Sequence, residues 1–302
     1  MPQILLAILS LLFLIKSAEI FIEQSIALAK KIRISSFLIG FTLIALGTSL
    51  PDLVISTYST MTGHPEIAIS TILGSAIVKS SLILGILALF SNYKLSEIDI
   101  KRNIPTNLIM FSSFFLIILL FGFKMNWIIG IVAVILLIIA IYLAKHNNHT
   151  ITIASKTRFN VLILLVSFGL LIFSGKICVD NIVLFAESYG LAKTTMGYFI
   201  LAIGTSIPEL ITSLAIIKKG NLQIGLGNIL GSTIFDILLV TSISSFITTL
   251  DFKPFMEEFL FLIFATVIFI LFAILGKKYY ISKKEGIGLI LLYILFIIVQ
   301  MI

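Results

Sequence analysis

The chain has one cysteine in 302 residues, Cys178, and three histidines, His64, His146 and His149. A single thiol excludes an internal disulfide. The three histidines fall in polar stretches between apolar runs, which excludes imidazole metal sets and Ser-His hydrolytic pairs inside those runs. Charge is scarce too: 12% of residues are Asp, Glu, Lys or Arg, against 59% hydrophobic. With a mean hydropathy of +1.20, the polar surface is too small for a soluble globule, and the chain reads as a polytopic membrane protein embedded in the lipid bilayer. No stretch suits a soluble domain. The apolar start, Met1 to Ile15, lacks a basic head and a convincing cleavage site and continues through Lys16 to Ala29, so it reads as a first span rather than a signal peptide. The formal charge of +7 sits in loops, where topology accounts for it, and no nucleic-acid partner is implied.

What the chain does have is long apolar runs. At roughly 20 residues per span we count ten, at about 3 to 29, 35 to 61, 66 to 91, 104 to 123, 126 to 144, 159 to 186, 193 to 217, 222 to 249, 255 to 275 and 285 to 302. The longest polar connector, Lys145 to Arg158, divides them into residues 1–150 and 151–302, five spans each. Assigning loops alternately to two sides puts fifteen basic residues on one side and three, Lys124, Lys193 and Lys253, on the other. By the positive-inside rule the fifteen face the cytoplasm, which predicts a cell (inner) membrane protein with both termini extracytoplasmic.

Shifting the sequence against itself by 157 residues aligns Ser17 with Ser174, Gly40 with Gly197, Ala45 with Ala202, Gly47-Thr48-Ser49 with Gly204-Thr205-Ser206, and Pro51 with Pro208. Without a gap it also aligns Leu73-Gly74-Ser75 with Leu230-Gly231-Ser232. The halves are therefore read as repeats. Five spans is an odd number, so the second copy must be inserted in the opposite sense. The expected fold is all-α, ten transmembrane helices in two inverted five-helix repeats, an architecture of secondary transporters with the ion site where the repeats meet.

Two polar breaks interrupt the apolar runs, Gly47-Thr48-Ser49-Leu50-Pro51-Asp52 and Gly204-Thr205-Ser206-Ile207-Pro208-Glu209. Each proline removes a helix hydrogen bond and frees carbonyls near Ala45 to Gly47 and Ala202 to Gly204, which is tolerated at membrane depth only where protein buries the break or a polar cavity faces it. Thr48 and Asp52, Thr205 and Glu209, Ser75 and Lys79, and Ser232 and Asp236 are each four apart, so each pair shares a helix face. Taken singly, the hydroxyls read as helix glue. The carboxylates do not, because a charge at a helix centre costs about 2.5–3.5 kcal/mol even on the lenient insertion scale. An all-oxygen set suits hard cations such as Na⁺ and Ca²⁺. Glycines 74, 227 and 231 are expected to let helices approach closely. Lys16, Glu19, Glu23, Lys176 and Asp180, at helical spacings, read as intramembrane pairs or snorkelling side chains.

The paired Gly-Thr-Ser-x-Pro-(Asp/Glu) segments, each followed by a Gly-Ser segment, resemble the alpha repeats of the cation/calcium exchanger superfamily, most of all its prokaryotic sodium/calcium exchangers. The resemblance covers nearly the whole chain. It implies a non-enzymatic antiporter without a cofactor, exchanging Na⁺ and Ca²⁺ by alternating access, with the first and sixth spans sliding past the rest. By position it implies Thr48, Ser49, Asp52 and Ser75 as ligands in the first half and Thr205, Ser206, Glu209, Ser232 and Asp236 in the second, with the carbonyls of Ala45 and Ala202 as backbone donors. Two residues depart from the family pattern: Asp52 stands where Glu is usual, and Lys79 where a neutral or acidic ligand is expected. An ammonium has three donors and no acceptor, so Lys79 cannot ligate a metal; it can act as a tethered cation that modifies the site. The residues leave open a proton-coupled (H⁺) or monovalent cation exchanger, and a transport-impaired homologue in which Lys79 fills an ion position. They do not set an oligomeric state.

Overall fold

The computed structural model describes residues 2–31, 45–90, 93–95, 99–144, 159–218, 222–275 and 279–301. The first part of the second expected span, with Gly40, and the 145–158 connector, with His146 and His149, lie outside these residues. The chain is a bundle of membrane-length helices. Among the described residues seven helical stretches are long and apolar enough to cross a bilayer: Gln3–Phe21, Pro65–Phe90, Asp99–Leu120, Val161–Tyr189, Lys193–Leu214, Gly225–Ile247 and Lys253–Leu275, with a shorter apolar helix at Trp127–Leu143. A described helix lies within each of the ten stretches expected from hydropathy, the second being represented by its later part and the tenth by Lys283–Met301. Large apolar side chains face outward along these helices, Phe13, Trp127, Tyr142, Leu165 and Leu275 among them, as lipid contact requires.

We label the long elements in chain order: α1 (Pro2–Lys31), α2 (Ala45–Thr48), α3 (Leu50–Met61), α4 (Pro65–Val78), α5 (Leu84–Phe90), α6 (Ile104–Leu120), α7 (Trp127–Ala144), α8 (Val161–Tyr189), α9 (Lys193–Met196), α10 (Ala202–Thr205), α11 (Ile207–Lys218), α12 (Leu222–Ile234), α13 (Thr241–Ile247), α14 (Met256–Leu275) and α15 (Lys283–Met301). α1 and α8 lie along each other, α6 packs against α14, α5 against α15, and α13 against α7. Under the 157-residue shift the α5–α15 contact maps onto the α13–α7 contact, so the third span of each half carries the last span of the other.

Two short ladders tie the loops. β1 (Tyr93–Lys94) pairs antiparallel with β4 (Tyr280–Ile281), and β2 (Lys124–Met125) with β3 (Leu250–Asp251). The shift carries Tyr93–Lys94 onto Leu250–Asp251 and Lys124 onto Ile281, so the ladders correspond to each other as well. Each ladder joins loops that the alternating assignment put on one side of the membrane: Lys94 with Tyr280, and Lys124 with Asp251.

The polar breaks form where the prolines require them. α2 ends at Thr48 and α3 starts at Leu50 with Ser49 between; α10 ends at Thr205 and α11 starts at Ile207 with Ser206 between. α4 and α12 pass without a break into widened π-helical turns, Lys79–Ile83 and Phe235–Val240. Hydropathy carries no signal for such turns, which occur mostly as single-turn insertions in α-helices, frequently at functional sites; two more lie at Asp99–Asn103 and Gly197–Leu201. Gly74 is one of several close contacts between the halves: a Cβ there would lie 2.8 Å from the Ala202 Cβ and 3.1 Å from the Tyr198 Cα. Gly227 departs from expectation, since a Cβ there would meet nothing within 4 Å.

Candidate functional site

Four ionisable side chains from four helical segments converge where the two breaks meet the π-turns at Lys79–Ile83 and Phe235–Val240. Asp52 belongs to the first turn of α3, Glu209 to the first turn of α11, Asp236 to one π-turn, and Lys79 opens the other. All four are fully buried. The Lys79 Nζ lies 3.4 Å from Asp52 Oδ2 and 2.9 Å from Glu209 Oε1, and it donates a short hydrogen bond to Asp236 Oδ2. Lys79 and Asp236 are each other's equivalents under the repeat shift. The closest contact in the cluster thus joins two positions that a symmetric ancestor would have filled alike.

The hydroxyls divide into two groups. Ser75 sits inside the cluster, with its Oγ 2.9 Å from Asp52 Oδ2, 3.3 Å from Asp236 Oδ2 and 3.0 Å from Ser206 Oγ. It carries one hydroxyl proton for three neighbouring oxygens, so at any instant it can donate to one of them. Ser49 donates to the Ser232 carbonyl at 3.4 Å, crossing from one half to the other. The remaining hydroxyls bond back to their own helices: Thr48 to the Ala45 carbonyl at 3.2 Å, Thr205 to Leu201 at 2.8 Å, Ser206 to Ala202 at 2.7 Å and Ser232 to Ile229 at 3.1 Å. The carbonyls of Ala45 and Ala202 also accept from the Ser49 and Ser206 amides, at 3.2 and 3.3 Å. In this conformation their hydrogen bonding is local.

The structure therefore gathers Asp52, Glu209, Asp236, Lys79, Ser75 and Ser206 into one contact network, with Ser49, Thr48, Thr205 and Ser232 buried on the adjoining segments. Four carboxylate oxygens in it, Asp52 Oδ1, both Oε atoms of Glu209 and Asp236 Oδ1, have no hydrogen-bond donor among the described residues. Glu209 Oε1 is close enough to Lys79 to form an ion pair, yet is not aligned with it as a hydrogen-bond acceptor. A buried carboxylate oxygen without a donor is costly. With three carboxylates ionised and one ammonium, the cluster carries a charge of −2, and the unpaired acceptors are what a cation or proton would satisfy. Among the described residues no group of three His, Cys, Asp or Glu side chains is set to hold a metal ion; the centre of the cluster is taken by the Lys79 ammonium.

Outside the cluster, Lys16 pairs with Glu19 at 2.7 Å on the exposed face of α1, as their spacing suggested. Asp180 of α8 instead accepts from the Tyr58 hydroxyl of α3 at 3.1 Å, a partner that spacing along its own helix does not give. Sequence reasoning missed the polar contacts across the loop ends, where His64 Nδ1 lies 3.3 Å from both Glu66 Oε1 and Lys193 Nζ, and Lys193 pairs with Glu187 at 3.0 Å. His64 and Lys193 are 129 residues apart, and Glu187 and Lys193 lie on two different helices, so no helical periodicity signals these contacts.

The family model described as "Sodium/calcium exchanger protein" matches residues 2–145 and 159–302. The inner membrane protein YrbG of Escherichia coli is 28% identical over 95% of this chain and 92% of its own length. The sodium/calcium exchanger MaX1 of Methanosarcina acetivorans is 26% identical over 98% of this chain and 97% of its own. Among solved structures, the sodium-calcium exchanger NCX_Mj superposes with a TM-score of 0.70 at 28% identity, covering 98% of each chain.

Proposed function

The chain belongs to the sodium/calcium exchanger family, and from that premise we propose that it exchanges Ca²⁺ against Na⁺ at the buried cluster around Lys79. Members of the family are membrane antiporters of inorganic cations rather than enzymes. The finer reading is that Asp52, Glu209 and Asp236, with Ser75 and Ser206 beside them, form the transport site, and that Ser49, Thr48, Thr205, Ser232 and the carbonyls of Ala45 and Ala202 complete the cage when an ion is present. The observation that carries it is the convergence of three fully buried carboxylates from different helical segments, with four oxygens left without a donor.

The same reading makes residues 1–150 and 151–302 inverted repeats that meet at this cluster. The mutual correspondence of the two loop ladders and of the α5–α15 and α13–α7 contacts under one shift supports it. α1 and α8, which lie together, are the pair that would slide as access alternates. Retention of all three carboxylates and of Ser75 and Ser206 in one network favours a working exchanger over a transport-impaired homologue.

The test is radiocalcium uptake into proteoliposomes, with and without an outward Na⁺ gradient. Uptake that saturates with Ca²⁺ and depends on internal Na⁺ is the expected result. Conductance without a requirement for the opposing gradient would identify a channel, uptake driven by protons alone would identify the proton-coupled reading, and no flux under any gradient a transport-impaired homologue.

A further inference from the structure

The position of Lys79 bears on how many ions move per cycle. Its ammonium is covalently fixed, fully buried, and in contact with all three carboxylates of the cluster. It occupies the position equivalent by the repeat shift to Asp236. At that position a cage built from two like halves would offer a second acceptor to a mobile cation. Lys79 removes the acceptor and supplies the positive charge in its place.

We propose that Lys79 serves as a permanent resident cation occupying one monovalent-ion position, so that the protein exchanges one Ca²⁺ for two Na⁺ and moves no net charge across the membrane. This rests on the reading of the cluster as the transport site. Three carboxylates and one ammonium leave two negative charges, and a buried site of low dielectric is occluded most favourably when neutral. One Ca²⁺ neutralises it, and so do two Na⁺. The four donor-free carboxylate oxygens on Asp52, Glu209 and Asp236 are the acceptors available to either load. With two positive charges inward and two outward, the turnover balances, and the lysine does not leave its helix to take part.

The proposal is tested on the unmodified protein in proteoliposomes, with a K⁺ diffusion potential of either sign set by valinomycin during Na⁺-driven radiocalcium uptake. The expected result is that the rate does not change with potential, and that at steady state the Ca²⁺ ratio follows the square of the Na⁺ ratio. In Lys79→Asn the vacated position admits a third Na⁺, so uptake becomes faster at inside-positive potential; Lys79→Arg, which keeps the fixed charge, stays insensitive to potential. Na⁺-driven uptake by the unmodified protein that accelerates at inside-positive potential, or a Ca²⁺ ratio that follows the cube, would overturn the stoichiometry and leave the exchanger reading standing. Absence of Na⁺-driven uptake would remove that reading and the stoichiometry with it. Because the decisive measurement uses no variant, misfolding of a substituted protein cannot obscure it.

Discussion

At the scale of single residues, the interdependence of Lys79 and its carboxylates is the feature with measurable consequences. Removing one partner of a buried ion pair typically costs about 3–5 kcal/mol because the other charge is stranded. Lys79→Asn, which leaves three buried carboxylates without their cation, is therefore expected to lower the thermal midpoint of the purified protein sharply, and adding Asp236→Asn to it to restore part of the loss. Equal midpoints for the single and double variants would mean that the two side chains do not depend on each other. The carboxylates were legible in the sequence because an acid inside a twenty-residue apolar run has no cheap explanation. Lys79 was legible as a departure from pattern. Its contact with all three acids was not, because residues 52, 79, 209 and 236 are brought together only by tertiary packing.

At the scale of elements, the proline breaks placed the polar segments correctly, since a missing amide ends the local helix in any context. The π-turns at Lys79–Ile83 and Phe235–Val240 could not be read, because widening one turn of a helix leaves no trace in hydropathy. Helix approach was only half legible. Gly74 is in tight contact with the break at Ala202, whereas Gly227 faces open space, and composition alone gives both the same weight. Gly74→Val should thus force the third span off the second break, costing about 1–3 kcal/mol by overpacking and lowering Na⁺-driven uptake. Gly227→Ala should change the thermal midpoint little, within about 0.5 kcal/mol. Similar losses in both variants would show that the Gly74 contact does not set the helix spacing. The β2–β3 ladder can be tested by cross-linking: Lys124→Cys with Asp251→Cys, which are register partners, should form a disulfide on mild oxidation, and failure to do so would contradict the pairing.

At the scale of the whole molecule, the basic-residue asymmetry predicts which side each loop faces, and the ladders agree on which loops lie together. A membrane-impermeant maleimide applied to intact cells should label Lys124→Cys and leave Lys283→Cys unlabelled; labelling of both, or of the second alone, would contradict the assigned orientation. The repeat is read from two motif copies and Leu-Gly-Ser segments that keep one offset, and the apolar helical stretches from hydrophobic length, which the bilayer fixes. The packing of each half's third span on the other half's last was hidden, since lipid-facing and protein-facing surfaces are equally apolar in such helices. Exchange by this route requires that the ion bind at the buried carboxylates. The most direct measurement is the initial rate of radiocalcium uptake into Na⁺-loaded proteoliposomes by Glu209→Gln beside the unmodified protein. Loss of one charged ligand predicts a fall of at least about tenfold, equivalent to about 1.4 kcal/mol, in a protein that still folds; an undiminished rate would place the ion path elsewhere.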